Sequence, residues 1–325
     1  MVQPIENKYI NYNPSELMPR SFNHPVFILG LMRSGTTLLL NILTEHPQLL
    51  KIGVELNSIW TTIGGASCMG ECHYKTAADF KPEFGINMTN YFNDNIEAYK
   101  SKRQLIKRVL FSQKFGSGGI LKDWDQIIPV NKSPHLTNKS LYLHEMFPEA
   151  RFIHIVRSIQ SHSLSMKLHF NKDFKSRNML NFLPEDDGSC WTRLPAKELE
   201  NAKSDRLYPG NFKLIPEAWL KLNYQAMKDF DKMGKEYYRI YSYEDLIAKP
   251  EEILPDIVDF LKLDQKHQQK VVKMTSRQRK AFNTHTKDPI NDWKTKLSED
   301  EQMQIAKLIE SQSEKYNLIQ KTINP

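Results

Sequence analysis

Cysteine is scarce, with three in 325 residues. So small and odd a number excludes a disulfide framework and agrees with a reducing compartment. No run approaches the roughly 20 apolar residues that span a bilayer. The polar first 24 residues have neither a secretory apolar segment nor an arginine-rich transit pattern. These absences predict a cytoplasmic chain with no transmembrane segment. Charge of one sign is not concentrated either. The formal net charge is +7, which points to an anionic ligand. The basic residues are too dispersed for a nucleic-acid stripe, so nucleic acid is not an expected partner. Repeats and low-complexity tracts are lacking, and collagen and disorder are excluded.

What is present fits a globular α/β protein, with 40% hydrophobic and 26% charged residues. Residues 1–24 read as an arm with little regular structure, and 25–325 as one domain. The apolar run at 26–29 predicts a strand, 30–35 a turn, and 36–45 a helix. Further strands are expected at 51–54, 127–130, 152–156 and 237–241, the run at 152–156 being apolar enough for a buried parallel strand. Helices are expected at 100–112, 138–147, from 157 to about 170, 216–233, 250–261, and from Ser298, where Ser298-Glu299-Asp300-Glu301 offers a capping box. The segments 61–95 and 171–212 read as irregular, and insertions at 61–99 and 171–212 are expected to wall an acceptor pocket. Their aromatics hint at an apolar or ring-bearing acceptor. The alternation implies a P-loop-type parallel β-sheet with helices on both faces, and a ligand at the strands' C-terminal ends.

The sharpest motif is Gly30-Leu31-Met32-Arg33-Ser34-Gly35-Thr36-Thr37, lying between strand and helix. Backbone N–H groups in such a turn cradle a phosphate at the positive end of the helix. Thr36 stands where a nucleotide-triphosphatase loop carries its lysine, and the cation comes earlier, as Arg33. A glycine turn that merely joins strand to helix is the plainer alternative.

Residues 27–39 resemble the 5′-phosphosulfate loop of sulfotransferases that use 3′-phosphoadenosine 5′-phosphosulfate (PAPS). Arg ahead of Ser-Gly-Thr-Thr is similar to the bacterial and tyrosylprotein sulfotransferases. The resemblance implies that Arg33, Ser34, Gly35, Thr36 and Thr37 bind the donor, and that Arg157 and Ser165 hold its 3′-phosphate. Asn131-Lys132-Ser133-Pro134 resembles the block that carries the catalytic lysine, here Lys132. Tyr243, in Tyr243-Glu244-Asp245-Leu246, matches a tyrosine that approaches adenine. Trp293-Lys294-Thr295-Lys296 resembles the final cofactor loop, with Lys294 or Lys296 at the 3′-phosphate.

Such an enzyme transfers a sulfuryl group in line to a hydroxyl or amine, and no bound metal is required. Arg33 and Lys132 would stabilise the growing charge. Glu55 is the first candidate base, because the run from His46-Pro47 to Glu55 resembles the tyrosylprotein enzymes. It is one residue longer here, and Asn57 stands where those enzymes have Arg. His135, three residues after Lys132, is the alternative base, as in the cytosolic aryl and steroid enzymes. His169 stands where the tyrosylprotein enzymes have Arg, and Lys167 could compensate. Cys68, Cys72 and His73 cluster, but a zinc site needs a fourth ligand. The Lys-rich run at 266–280 reads as a solvated helix face. Two other functions compete: a P-loop kinase or nucleotide hydrolase, and a non-catalytic nucleotide-binding module. The acceptor itself is a small molecule, glycan, lipid or peptide.

Overall fold

The computed structural model describes residues 20–53, 55–66, 73–101, 122–183, 191–197, 204–282 and 288–323. Its centre is a parallel sheet of strands β1 (Val26–Leu29), β2 (Leu49–Lys51), β3 (Ile128–Lys132), β4 (Arg151–Val156) and β8 (Tyr238–Ser242). The spatial order is β2-β3-β1-β4-β8. A smaller antiparallel sheet, ordered β6-β5-β7, comprises β5 (Met179–Phe182), β6 (Thr192–Pro195) and β7 (Leu207–Tyr208).

Strand β1 shows why the sheet is covered on both faces. Its four residues are all fully buried, and they alternate between two cores. Val26 and Ile28 point to helices α1 (Thr36–Leu43), α8 (Pro250–Phe260) and α9 (Gln268–Phe282), among Leu39, Ile42, Ile257 and Val271. Phe27 and Leu29 point to α2 (Asn57–Thr62), α3 (Pro82–Lys100), α4 (Ser140–Met146) and α6 (Leu214–Lys232), among Trp60, Phe92, Tyr142 and Phe230. A third core around Phe170 and Trp219 joins α5 (Ile159–Arg177) and α6 to the C-terminal helices α11 (Glu299–Ser311) and α12 (Ser313–Ile323). The short helices α7 (Tyr243–Ala248) and α10 (Trp293–Lys296) follow β8 and precede α11 respectively. No described helix is long and apolar enough to cross a membrane.

Several boundaries move. The second strand ends at Lys51 rather than running to residue 54, because Gly53 turns left-handed with φ 62°. Residues 82–100 form α3 instead of irregular chain. Pro82 occupies the first turn, where its missing N–H is harmless, and Met88, Tyr91, Phe92 and Ile96 bury one face. The helix expected at 100–112 falls, beyond residue 101, outside the described residues. Helix α5 passes Phe170 and stops only at Asn178, which is left-handed with φ 53°. The described rest of 171–212 holds the small sheet, and its Tyr208 and Phe212 are buried in the same core as Phe170. The Ser298 capping box is present, with Ser298 Oγ accepting from the Glu301 N–H at 3.2 Å. Residues 20–24 have no helix or strand, yet Phe22 packs edge-on against Phe92 at 5.9 Å.

Candidate active site

The C-terminal ends of all five parallel strands lead into the candidate residues. After β1, Gly30 has φ 138°, and a Cβ there would lie 2.5 Å from the Ile155 carbonyl oxygen. Gly35 has φ 96°, and its Cβ would meet the Tyr243 ring at 2.4 Å. Both positions therefore demand glycine. Gly35 is also the N-cap of α1, which has no side-chain cap. The first-turn N–H groups of α1 are thus available to an anion. Ser34 is buried, and its Oγ has no hydrogen-bond partner among the described residues. Thr36 is buried beside it. Thr137, which sequence reasoning missed, accepts the Gly30 N–H on Oγ1 at 3.2 Å.

Arg157, just past β4, is only 6% exposed. Its Nη1 donates to the Arg33 carbonyl at 3.2 Å and its Nη2 to the Pro289 carbonyl at 2.5 Å. The guanidinium lies 4.7 Å from the Tyr243 ring centre, a cation–π contact. Arg33 Nε donates to Ser165 Oγ at 3.3 Å. The structure therefore brings Arg33, Arg157, Ser165 and Tyr243 together. Among the described residues neither arginine forms an ion pair, and Arg157 Nε has no partner. Burial pulls both guanidinium groups below their usual pKa, yet arginine stays charged in proteins.

Lys294 and Lys296 lie on α10. Lys296 pairs with Asp292 at 2.5 Å, and the Lys294 ammonium sits 6.0 Å from the Trp293 ring centre. The C-terminal segment instead meets this region through backbone: the Pro289 carbonyl on Arg157, and the Ile290 carbonyl accepting from Ser161 Oγ at 2.8 Å. Lys167 is paired with Glu301 at 2.6 Å, and His169 lies 3.9 Å from Asp173.

Lys132, the last residue of β3, is 2% exposed, and its Nζ pairs with Glu55 Oε1 at 2.6 Å. Glu55 is followed by Leu56 in a left-handed conformation, φ 55°. Asn57 donates to Glu55 Oε2 at 3.4 Å and accepts from Ser133 Oγ at 3.2 Å. Burial alone would raise the Glu55 pKa. The Lys132 charge and hydrogen bond, helped by His135 and Asn57, outweigh burial and hold the carboxyl below its ordinary value. Burial lowers His135 to about 4; Glu55 opposes this, and Lys139 and Lys132 reinforce it. Both candidate bases are therefore unprotonated at neutral pH. His135 is thereby brought down into the ordinary carboxylate range, so an acidic limb alone does not identify the base.

Among the described residues no group of three His, Cys, Asp or Glu is placed to hold a metal ion. Cys68 and Cys72 lie outside the described residues.

A sequence model described as "Sulfotransferase family" matches residues 25–268. No curated protein matches the chain. Among solved structures, the sulfotransferase domain from the curacin biosynthetic pathway is 16% identical, with a TM-score of 0.47 over 88% of this chain and 98% of that one. A sulfotransferase from Alicyclobacillus acidocaldarius is 13% identical, with a TM-score of 0.48 over 93% and 96% respectively. Mouse sulfotransferase SULT7A1 complexed with PAP is also 13% identical, with a TM-score of 0.44 over 92% and 90%. The family match spans β1, its glycine loop, Lys132, Arg157, Ser165 and Tyr243, so the chain belongs to the sulfotransferase family and is an enzyme of sulfuryl transfer.

Proposed function

We propose that the donor is PAPS and that its sulfuryl group passes in line to a hydroxyl or amine acceptor. One observation carries the choice of donor. Arg157, buried, and Arg33, partly buried, both without an ion pair among the described residues, converge on a glycine loop at an uncapped helix N-terminus. Two such cations in one buried place call for a multiply charged anion. The partnerless Ser34 Oγ and Arg157 Nε supply donors for it. In this reading the loop N–H groups, Ser34, Thr36 and Thr37 hold the 5′-phosphosulfate, while Arg157 and Ser165 hold the 3′-phosphate. Tyr243 supports Arg157 and closes the adenine side. Lys294 and Lys296, on the short helix after Pro289, are the further cations that this reading assigns to the 3′-phosphate.

PAPS supplies an activated sulfuryl group and a good leaving group. Lys132 and Arg33 stabilise charge on the oxygen that leaves. Glu55 takes the acceptor proton on Oε2, because Oε1 is committed to Lys132 and the Asn57 contact is long. His135 is the second reading, favoured by its neutral imidazole beside Glu55. Adenosine 3′,5′-bisphosphate should raise Tm more than adenosine 5′-phosphate at equal concentration. Equal shifts would overturn the choice of donor. Transfer of labelled sulfate from PAPS, followed by identification of the labelled product, names the acceptor.

A further inference from the structure

An anion-binding loop works only if its N–H groups face inward and its carbonyl groups face away. Three successive carbonyls here are each held by a donor. The Leu31 carbonyl accepts from the Ser34 N–H at 3.1 Å. The Arg33 carbonyl accepts from Arg157 Nη1 at 3.2 Å. Between them, the Met32 carbonyl lies 3.0 Å from His162 Nε2. His162 sits one turn into α5, 1% exposed, and its Nδ1 has no partner among the described residues.

A carbonyl can only accept, so Nε2 must carry the proton and Nδ1 must be bare. Protonating Nδ1 would bury a charge beside Arg157 and Arg33. Burial, then those two arginines, push the imidazole down to about 3 and keep it neutral. The residue after Met32 is Arg33, a non-glycine held left-handed at φ 71°. That conformation is costly and persists only where neighbours enforce it. Without a donor on the Met32 carbonyl, the Met32–Arg33 peptide can rotate. Its oxygen would then enter the anion site and its N–H would leave.

We infer that His162 is a positioning residue for the phosphate loop: as a neutral Nε2–H donor, it pins the Met32 carbonyl outward and holds Arg33 in place. This rests on the loop being the donor's 5′-phosphate site. It assigns a role to a side chain that does not touch the donor.

The test compares His162→Gln, which keeps an N–H donor, with His162→Leu, which fills the space without one. Affinity for adenosine 5′-phosphate and for adenosine 3′,5′-bisphosphate is measured by calorimetry. The leucine variant should lose about tenfold or more toward both nucleotides, because the 5′ end that they share is disturbed. The glutamine variant should recover most of the loss. Leucine binding as tightly as glutamine would overturn the inference, as would a loss confined to the bisphosphate. If the leucine variant does not fold, His162→Met replaces it, being flexible enough to fill the same space, and the same two outcomes apply. Failure of the unmodified protein to bind either nucleotide would instead sink the donor assignment, so the two failures are distinct.

Discussion

Arg157 and Lys132 are both buried cations at the C-terminal end of a parallel strand, but they are neutralised differently. Lys132 has a carboxylate at 2.6 Å. Arg157 has two backbone carbonyls and an aromatic ring. Carbonyls satisfy a guanidinium's hydrogen bonds without cancelling its charge, so the Arg157 end keeps a positive field for a ligand to meet. The Lys132 end is internally balanced and gains little from another anion in the ground state. It can offer charge only when the Glu55 pair loosens or Glu55 takes a proton. In the proposed function, one end binds the donor and the other changes during the reaction.

The largest expected effect breaks the reacting end alone. Glu55→Gln should lower turnover by roughly two to four orders of magnitude while bisphosphate affinity stays nearly intact. His135→Asn should cost much less. The acceptor must have a weakly acidic hydroxyl, since an acidic phenol could lose its proton unaided. Full activity in Glu55→Gln, with loss in His135→Asn, would exchange the roles of the two residues. Lys132→Ala should likewise reduce turnover more than binding. A normal rate in that variant would remove Lys132 from the mechanism.

At the binding end the loss should be smaller and of another kind. Arg157→Ala should weaken the bisphosphate by roughly ten- to a hundredfold, as expected for hydrogen bonds to a charged group. Adenosine 5′-phosphate should lose less, so the preference between the two collapses. A preference that survives in calorimetry would place the 3′-phosphate elsewhere.

The smallest effect concerns stability and spans both ends. His135 is held near 4, His162 near 3, and the core residue His154 near 4, each chiefly by burial. Their unfolded value is about 6.5. Between those limits the unfolded chain binds more protons than the folded one, so stability falls as pH drops below about 6.5 and stops falling below about 3 from this cause. Scanning calorimetry should show Tm decreasing by on the order of 10 °C from pH 7 to pH 5. A flat Tm over that window would mean these imidazoles are accessible to protons in the folded state.

The binding end was readable because its parts are local patterns: a strand, two obligatory glycines, a helix start, and an arginine at the end of an apolar run. The reacting end was only half readable. Lys132 and Glu55 are 77 positions apart in sequence, so their ion pair depends on β2 and β3 being neighbours. Asn57 stood out only by a family comparison, and nothing in its surroundings showed it bridging Glu55 and Ser133. Thr137 and His162 carried no signal, because a hydroxyl in a turn or an imidazole on a helix face looks the same whether it meets solvent or a loop. Helix α3 was missed for another reason. Its apolar residues had the right period, but Pro82, Gly85 and the glycines before them outweighed that period. The strands of the small sheet, two to four residues long, are too short to show alternation.

The strand order has a consequence for how the molecule assembles. Val26 is paired with Val130 on one side and Arg151 on the other, both about a hundred or more residues downstream. Ile155 waits for Tyr241. No nearby strand closes this sheet, so much chain entropy is lost before the first non-local pairing is rewarded. Folding should be slow, and the proposed nucleotide cradle cannot be complete in any fragment that ends before β8. Ligand capture therefore reports completion of the whole sheet. Hydrogen exchange should accordingly slow throughout β1, β3, β4 and β8 when nucleotide binds, rather than only in the loop that touches it.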